Sequence, residues 1–175
     1  MKKILLTFCF IVISNSTFAL SYTMEISEKD LEKKVQAFMP LTQKNNFVTV
    51  TLAEPNIDLV KGSNKVALST TIDATALGNI NGTGIIDVAG NIIYNKEQGA
   101  FYLQNIEVLD FKSDKINAAY KDIVKSLAQE LLNTALKAHP IYQFDTSKTE
   151  DKIAKETLKS VKICDEKLLL KLSAF

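Results

Sequence analysis

Between Asp114 and Pro140 the chain carries Ile116, Ala119, Tyr120, Ile123, Val124, Leu127, Ala128, Leu131, Leu132, Ala135 and Leu136. Steps of three and four residues put these side chains on one side of an α-helix. The spacing predicts a helix from about Lys115 to His139, capped by Asp114 and stopped by Pro140. At 1.5 Å per residue it would run about 37 Å, longer than most small domains are wide. Its apolar arc is broader than a helix resting on a flat sheet buries. A chain with this segment must supply a surface that covers the helix over a wide angle.

The residues before it supply strands. Val48, Val50 and Leu52 alternate with Thr49 and Thr51, and an extended pattern resumes after Pro55 at Ile57–Val60. Val66, Leu68, Thr70, Ile72, Ala74 and Ala76 face one way along the next strand, Ile85 to Tyr94 form a third, and Ala100 to Phe111 a fourth. Turn residues separate them: Lys61–Lys65, then Gly78–Gly82, in which Asn81-Gly82 is a tight-turn signal, then Asn95–Gly99 with Gly99 supplying a positive φ. Long strands joined by short loops predict an antiparallel meander. The fourth strand changes phase between Phe101/Leu103 and Ile106/Val108, which predicts a bulge or sharp twist near Gln104-Asn105.

Shorter elements flank this core. Ser27 with Asp30 reads as a helix start, and Leu31, Val35, Phe38 and Met39 form one helical face ending at Pro40. After Pro140, Ile141–Phe144 reads as extended, Ser147-Lys148-Thr149 opens a third helix to about Leu158, and Val161–Cys164 with Leu168–Phe175 reads as a closing hairpin. The first nineteen residues read as a secretory signal: a Lys2-Lys3 start, an apolar run from Ile4 to Ile13, and Thr17 and Ala19 at the −3 and −1 positions. That run is too short to span a bilayer, and no second long one follows, so no transmembrane span is expected. Cys9 lies mid-run after Phe8, which is not the setting of a lipidation cysteine. The expected arrangement is a signal peptide over 1–19, one domain over 20–175, and a periplasmic or secreted location without a lipid anchor.

Composition narrows the chemistry. The chain has 21 basic residues, all lysine, against 20 acidic ones, for a net charge of +1. Phosphate recognition wants a concentrated positive field and arginine forks, so nucleic acid is not an expected partner. A single histidine, His139, and two cysteines rule out a clustered His/Cys metal site. His139 falls at the end of the long helix, where it serves as a terminal residue. Glu150-Asp151 and Asp165-Glu166 read as surface carboxylates, no nucleotide-binding or nucleophile-elbow pattern occurs, and Asn81-Gly82-Thr83 is a glycosylation sequon only in form. No enzyme activity and no cofactor are expected.

The stretch from Tyr94 to Leu103, followed by Ile106–Asp110, resembles the YceB-like family of bacterial envelope proteins. So do Asn64–Leu68, Ile26–Leu31, Pro140-Ile141-Tyr142 and the closing Val161-Lys162-Ile163 with Leu168-Leu169-Leu170. That resemblance implies a likeness to the tubular lipid-binding superfamily. The implied fold is α+β: a strongly curved antiparallel β-sheet wrapped around one long C-terminal-half helix, with a short N-terminal helix and a closing C-terminal hairpin. The implied partner is a lipid or other apolar small molecule, with an envelope protein as the alternative. The expected lining is Tyr120, Ile123, Leu127 and Leu131 on the helix with Phe101 and Leu103 on the sheet.

Overall fold

Alternation of β-branched and polar residues produces long paired strands in the computed structural model, which describes residues 21–113 and 115–173. The elements in chain order are β1 (Ser21–Ser27), α1 (Glu28–Gln36), β2 (Leu41–Lys44), β3 (Val48–Leu59), β4 (Lys65–Ala76) and β5 (Ile80–Asn95). They continue with β6 (Ala100–Lys112), α2 (Ala118–Ala138), β7 (Tyr142–Gln143), α3 (Thr149–Thr157), β8 (Leu158–Cys164) and β9 (Lys167–Ser173). A six-stranded antiparallel sheet has the order β2-β3-β4-β5-β6-β7, and a three-stranded one the order β1-β9-β8. The fold class is α+β, with antiparallel pairing throughout.

Two interruptions in the sequence pattern become bulges within continuous strands. β3 runs through Pro55: its register against β4 jumps between Ala53 and Asn56, and Glu54 takes φ 53°. Proline lacks a ladder N–H, and a bulge is where a strand tolerates it. The hydroxyls of Thr70 and Thr71 donate to the Ala53 carbonyl at this point. In β6 the expected phase change is a register shift opposite Ala89/Asn91, with Asn105 at φ 54°. A second shift, opposite Asp87/Val88, follows in the same strand.

Some boundaries differ from expectation. Helix α2 starts at Ala118 rather than near Lys115, and its cap is Asn117, whose side chain accepts the Ala119 N–H. The expected cap Asp114, the signal segment with Cys9, and Ala174-Phe175 lie outside the described residues. Asn81-Gly82 is not in a turn but in β5; the β4–β5 turn is made by Leu77-Gly78-Asn79, with Leu77 at φ 50° and Gly78 at φ 79°. Strands β1 and β2 carry no clear strand pattern in the sequence. The Ser27 cap is present: its hydroxyl oxygen accepts the Asp30 N–H, and its O–H donates to the Asp30 carboxylate, holding that carboxyl below its ordinary range. α1 ends at Gln36, ahead of Pro40. His139 is the C-cap of α2 and stacks on Phe38 at 4.9 Å. Asp151, expected at the surface, is buried, and its carboxylate accepts the Asp145 N–H at 2.8 Å.

One hydrophobic cluster joins the two sheets. It includes Ile26, Leu31, Val35, Ile57 and Leu59 together with Leu168, Leu170 and Leu172. α1 packs on β3, β1 and β7, and its Glu28 carboxylate accepts the Leu59 N–H at 2.7 Å. α2 packs chiefly on β6 and also touches β2, β3 and β4. No helix among the described residues is long and apolar enough to cross a membrane.

Candidate functional site

The inward face of β4 changes size along its length, from Val66, Leu68 and Ile72 to Ala74 and Ala76. Beside it, β5 begins with Ile80 and then Gly82. The sheet floor is therefore small-residue at one end. Over that floor stand Ile116, Tyr120 and Val124, and between them and Val48, Ala74, Ala76, Ile80 and Gly82 is a cleft holding about 10 Å³ of free space. That is at the lower limit of what one water needs. In this arrangement the cleft is too narrow for a guest larger than a water.

The position of α2 over the floor follows from the glycines. A Cβ on Gly82 would stand 2.7 Å from the Lys115 carbonyl oxygen and 2.9 Å from the Ile116 Cα. A Cβ on Gly84 would stand 2.7 Å from the Lys112 carbonyl oxygen. The backbone leaving β6 crosses β5 here in direct contact, which only a residue without a side chain permits. Ser113 pins the crossing: its hydroxyl donates to the Thr83 carbonyl and accepts the Ile116 N–H, each at 2.9 Å.

Asn81 and Asn117 complete the lining of the cleft, and bare apolar side chains stand beside it. Phe47 in the β2–β3 turn and Leu77 in the β4–β5 turn are each 59% exposed, and Ile80 is 40% exposed. The Leu77 N–H donates to the Phe47 carbonyl at 2.8 Å, so the two turns are joined. Asn45 shapes the first turn, its side-chain oxygen accepting the N–H groups of Phe47 (2.9 Å) and Val48 (2.7 Å).

Five of the six residues expected to line a ligand site, all but Ile123, belong to or pack against the one hydrophobic core. Phe101 and Leu103 are fully buried on β6. Phe101 is packed against Tyr94 (4.8 Å) and Phe144 (5.8 Å), at the far end of β5 from Gly82. Leu127 is buried, and Leu131 is half-buried against the core. Ile123 is 37% exposed and Ala119 is open to solvent, so the buried arc of α2 is narrower than its apolar arc. Only Tyr120, half-buried, lies at the cleft. The residues missed by sequence reasoning are the floor itself, Ala74, Ala76 and Gly82. Their signal is the drop in side-chain volume along an inward-facing strand.

Larger hollows have a different character. A groove of about 500 Å³ is lined by Glu54, Asp73, Lys112 and Lys115 among others. Lys112 there bridges Asp110 (3.1 Å) and Asp87 (3.8 Å), and the Lys112 ammonium holds the Asp110 carboxyl below its ordinary range. A recess of about 290 Å³ adjoins Tyr142, Asp30, Asp145 and Asp151. Burial and, secondarily, these acids push the Tyr142 phenol up to about 12. The groove also carries Ala53, Ile72 and Ile85, so its lining is mixed, with charged groups beside the apolar ones, whereas the recess is lined mainly by charged and polar groups. Among the described residues no cluster of His, Cys, Asp and Glu could hold a metal ion.

A family model described as a protein of unknown function, DUF1439, matches residues 26–167. No curated protein matches the chain.

Proposed function

The chain belongs to DUF1439, a family of unknown function, and we propose that it is an exported, non-catalytic binder of a lipid or other apolar small molecule in the bacterial envelope. The observation that carries this reading is the small-residue floor of Ala74, Ala76 and Gly82 under α2, with about 10 Å³ of free space, exposed Ile80 at its edge and exposed Phe47 and Leu77 in the turns next to Val48 and Ala76. An acyl chain would enter by lifting the first turns of α2 off that floor, exchanging helix–sheet contacts for ligand contacts of the same apolar kind. The N-terminal signal pattern supports the exported location.

The finer reading, a YceB-like member of the tubular lipid-binding superfamily with its sheet curled around α2, has support in the placement of the helix. The chain touches β5 at Gly82 just before α2, and the Ile141 N–H just after it donates to Phe101, the partner of Tyr94 near the other end of β5. From Gly82 to Tyr94 is ~40 Å along a strand, and residues 116–141 span about as much as a helix. The helix then follows the strands. A helix ~10 Å wide aligned on a flat sheet with strands ~4.8 Å apart meets two or three of them, whereas α2 touches β2, β3, β4 and β6.

The test is native mass spectrometry and lipid extraction of protein purified from its own envelope, with uptake of a fluorescent fatty acid. A co-purifying lipid mass is expected. Ala76→Leu should weaken uptake by filling the floor, and Tyr120→Ala should strengthen it by enlarging the cleft; opposite effects of two core changes would not come from misfolding. Ligand-free protein that takes up no fatty acid would overturn the reading. Burial of Phe101, Leu103 and Leu127 in the core fits the second reading, an envelope interaction protein with a solid core, and that outcome would leave it standing.

A further inference from the structure

We propose that the paired turns carrying Phe47 and Leu77 insert into a lipid bilayer surface, so that the cleft opens against the membrane; this rests on the apolar-ligand reading above. Phe47 and Leu77 project from adjacent turns, joined by the Leu77 N–H to Phe47 carbonyl bond, and more than half of each is bare to water. Leu77 is disfavoured twice where it stands. Its φ of 50° is a conformation that glycine or asparagine adopts at less cost, and most of its apolar side chain is left in water by the fold. Burial of the side chain in something outside the chain would remove the second penalty and offset the first.

The surroundings match the interfacial zone of a bilayer with anionic headgroups. Lys44 stands beside the first turn and Lys121 lies in the first turn of α2, next to Asp122, while Lys115 precedes α2 and lines the neighbouring groove with Glu54 and Asp73. None of the three lysines is in an ion pair among the described residues. Apolar tips with free ammonium groups beside them insert shallowly and gain electrostatically from phosphate-bearing lipids. Tyr120, half-buried at the cleft, is an amphipathic side chain of the kind that sits at headgroup depth. A protein partner would use the same apolar tips but would have no need of the lysines.

The chain has no tryptophan, so Phe47→Trp places a single reporter in the tip. With vesicles of phosphatidylethanolamine and phosphatidylglycerol, the emission should shift to the blue and be quenched by lipids brominated on the acyl chain. Protein of the natural sequence should float with the same vesicles, less so in high salt. Leu77→Gly removes the side chain at a backbone angle glycine prefers. It should leave the circular dichroism and melting temperature intact while weakening vesicle binding roughly tenfold. No emission shift and no flotation, or Leu77→Gly floating as well as the natural sequence, would overturn the proposal. So would a lipid-independent dimer that Leu77→Gly dissolves, which would assign the patch to a second copy. If fatty acid is taken up from solution while vesicle docking fails, the docking inference falls and the ligand reading stands. Docking without uptake removes the ligand reading and leaves the membrane-docking surface in place.

Discussion

Tyr142 shows how a residue with no chemistry of its own records the packing around it. It sits on β7, edge-on to Phe144 at 5.7 Å, and is pushed up to about 12 by burial and by the charges of Asp151, Asp30 and Asp145. The folded state holds the neutral phenol more tightly than the unfolded chain does. Stability from this difference is fully present below the ordinary tyrosine value of 10 and is lost as pH rises toward about 12. An absorbance titration of the five tyrosines should show a late component near the upper value that Tyr142→Phe removes. A single phase near the ordinary value would count against this packing. The Ser27 cap, by contrast, is plain in the sequence, because capping is a relation between residues three apart.

At the scale of elements, local signals and tertiary demands part at Asn81-Gly82. The dipeptide satisfies the local rule for a hairpin turn, yet it lies inside β5, where Gly82 and Gly84 clear the way for the backbone of Lys112–Ile116. Neighbours some thirty residues away impose that glycine requirement. Gly82→Ala and Gly84→Ala should each destabilise the fold by roughly 1–3 kcal/mol through overpacking against backbone, measured by urea denaturation. Gly62→Ala, at φ 75° with nothing near its Cβ, should act through backbone strain instead, costing roughly 1 kcal/mol. If Gly82→Ala proves neutral, the crossing is not in direct contact. The bulge near Asn105 is legible because a phase change in a strand has few other resolutions. The start of α2 departs from expectation because Asn117 caps it through a contact that competes with every nearby polar side chain.

Across the whole molecule, the two sheets share one core although they share no strand. β9 is central in its sheet, flanked by β1 from the start of the described chain and β8 just before it. Leu168 and Leu170 on β9 are fully buried in the same cluster as Leu31, Val35 and Leu59. Leu170→Ala should therefore cost about 2–5 kcal/mol and lower the stability of both sheets together, with one unfolding transition by circular dichroism and by tyrosine fluorescence. Two separated transitions would show that the sheets fold independently.

Elements whose signals are periodic or adjacent are legible in the chain alone: the long helix, the four main strands, the α1 cap and the closing hairpin. Burial periodicity and capping act over a few residues, so they are written where they operate. Long-range packing sets which strands pair to form two sheets, that Ile123 is partly exposed while Leu127 is covered, and that the expected lining residues stand at different places along α2 and β6. It also sets where the candidate site is. A cleft is a relation among small residues on β4 and β5 and large ones on α2, and its volume is set by how closely two elements remote in sequence approach each other.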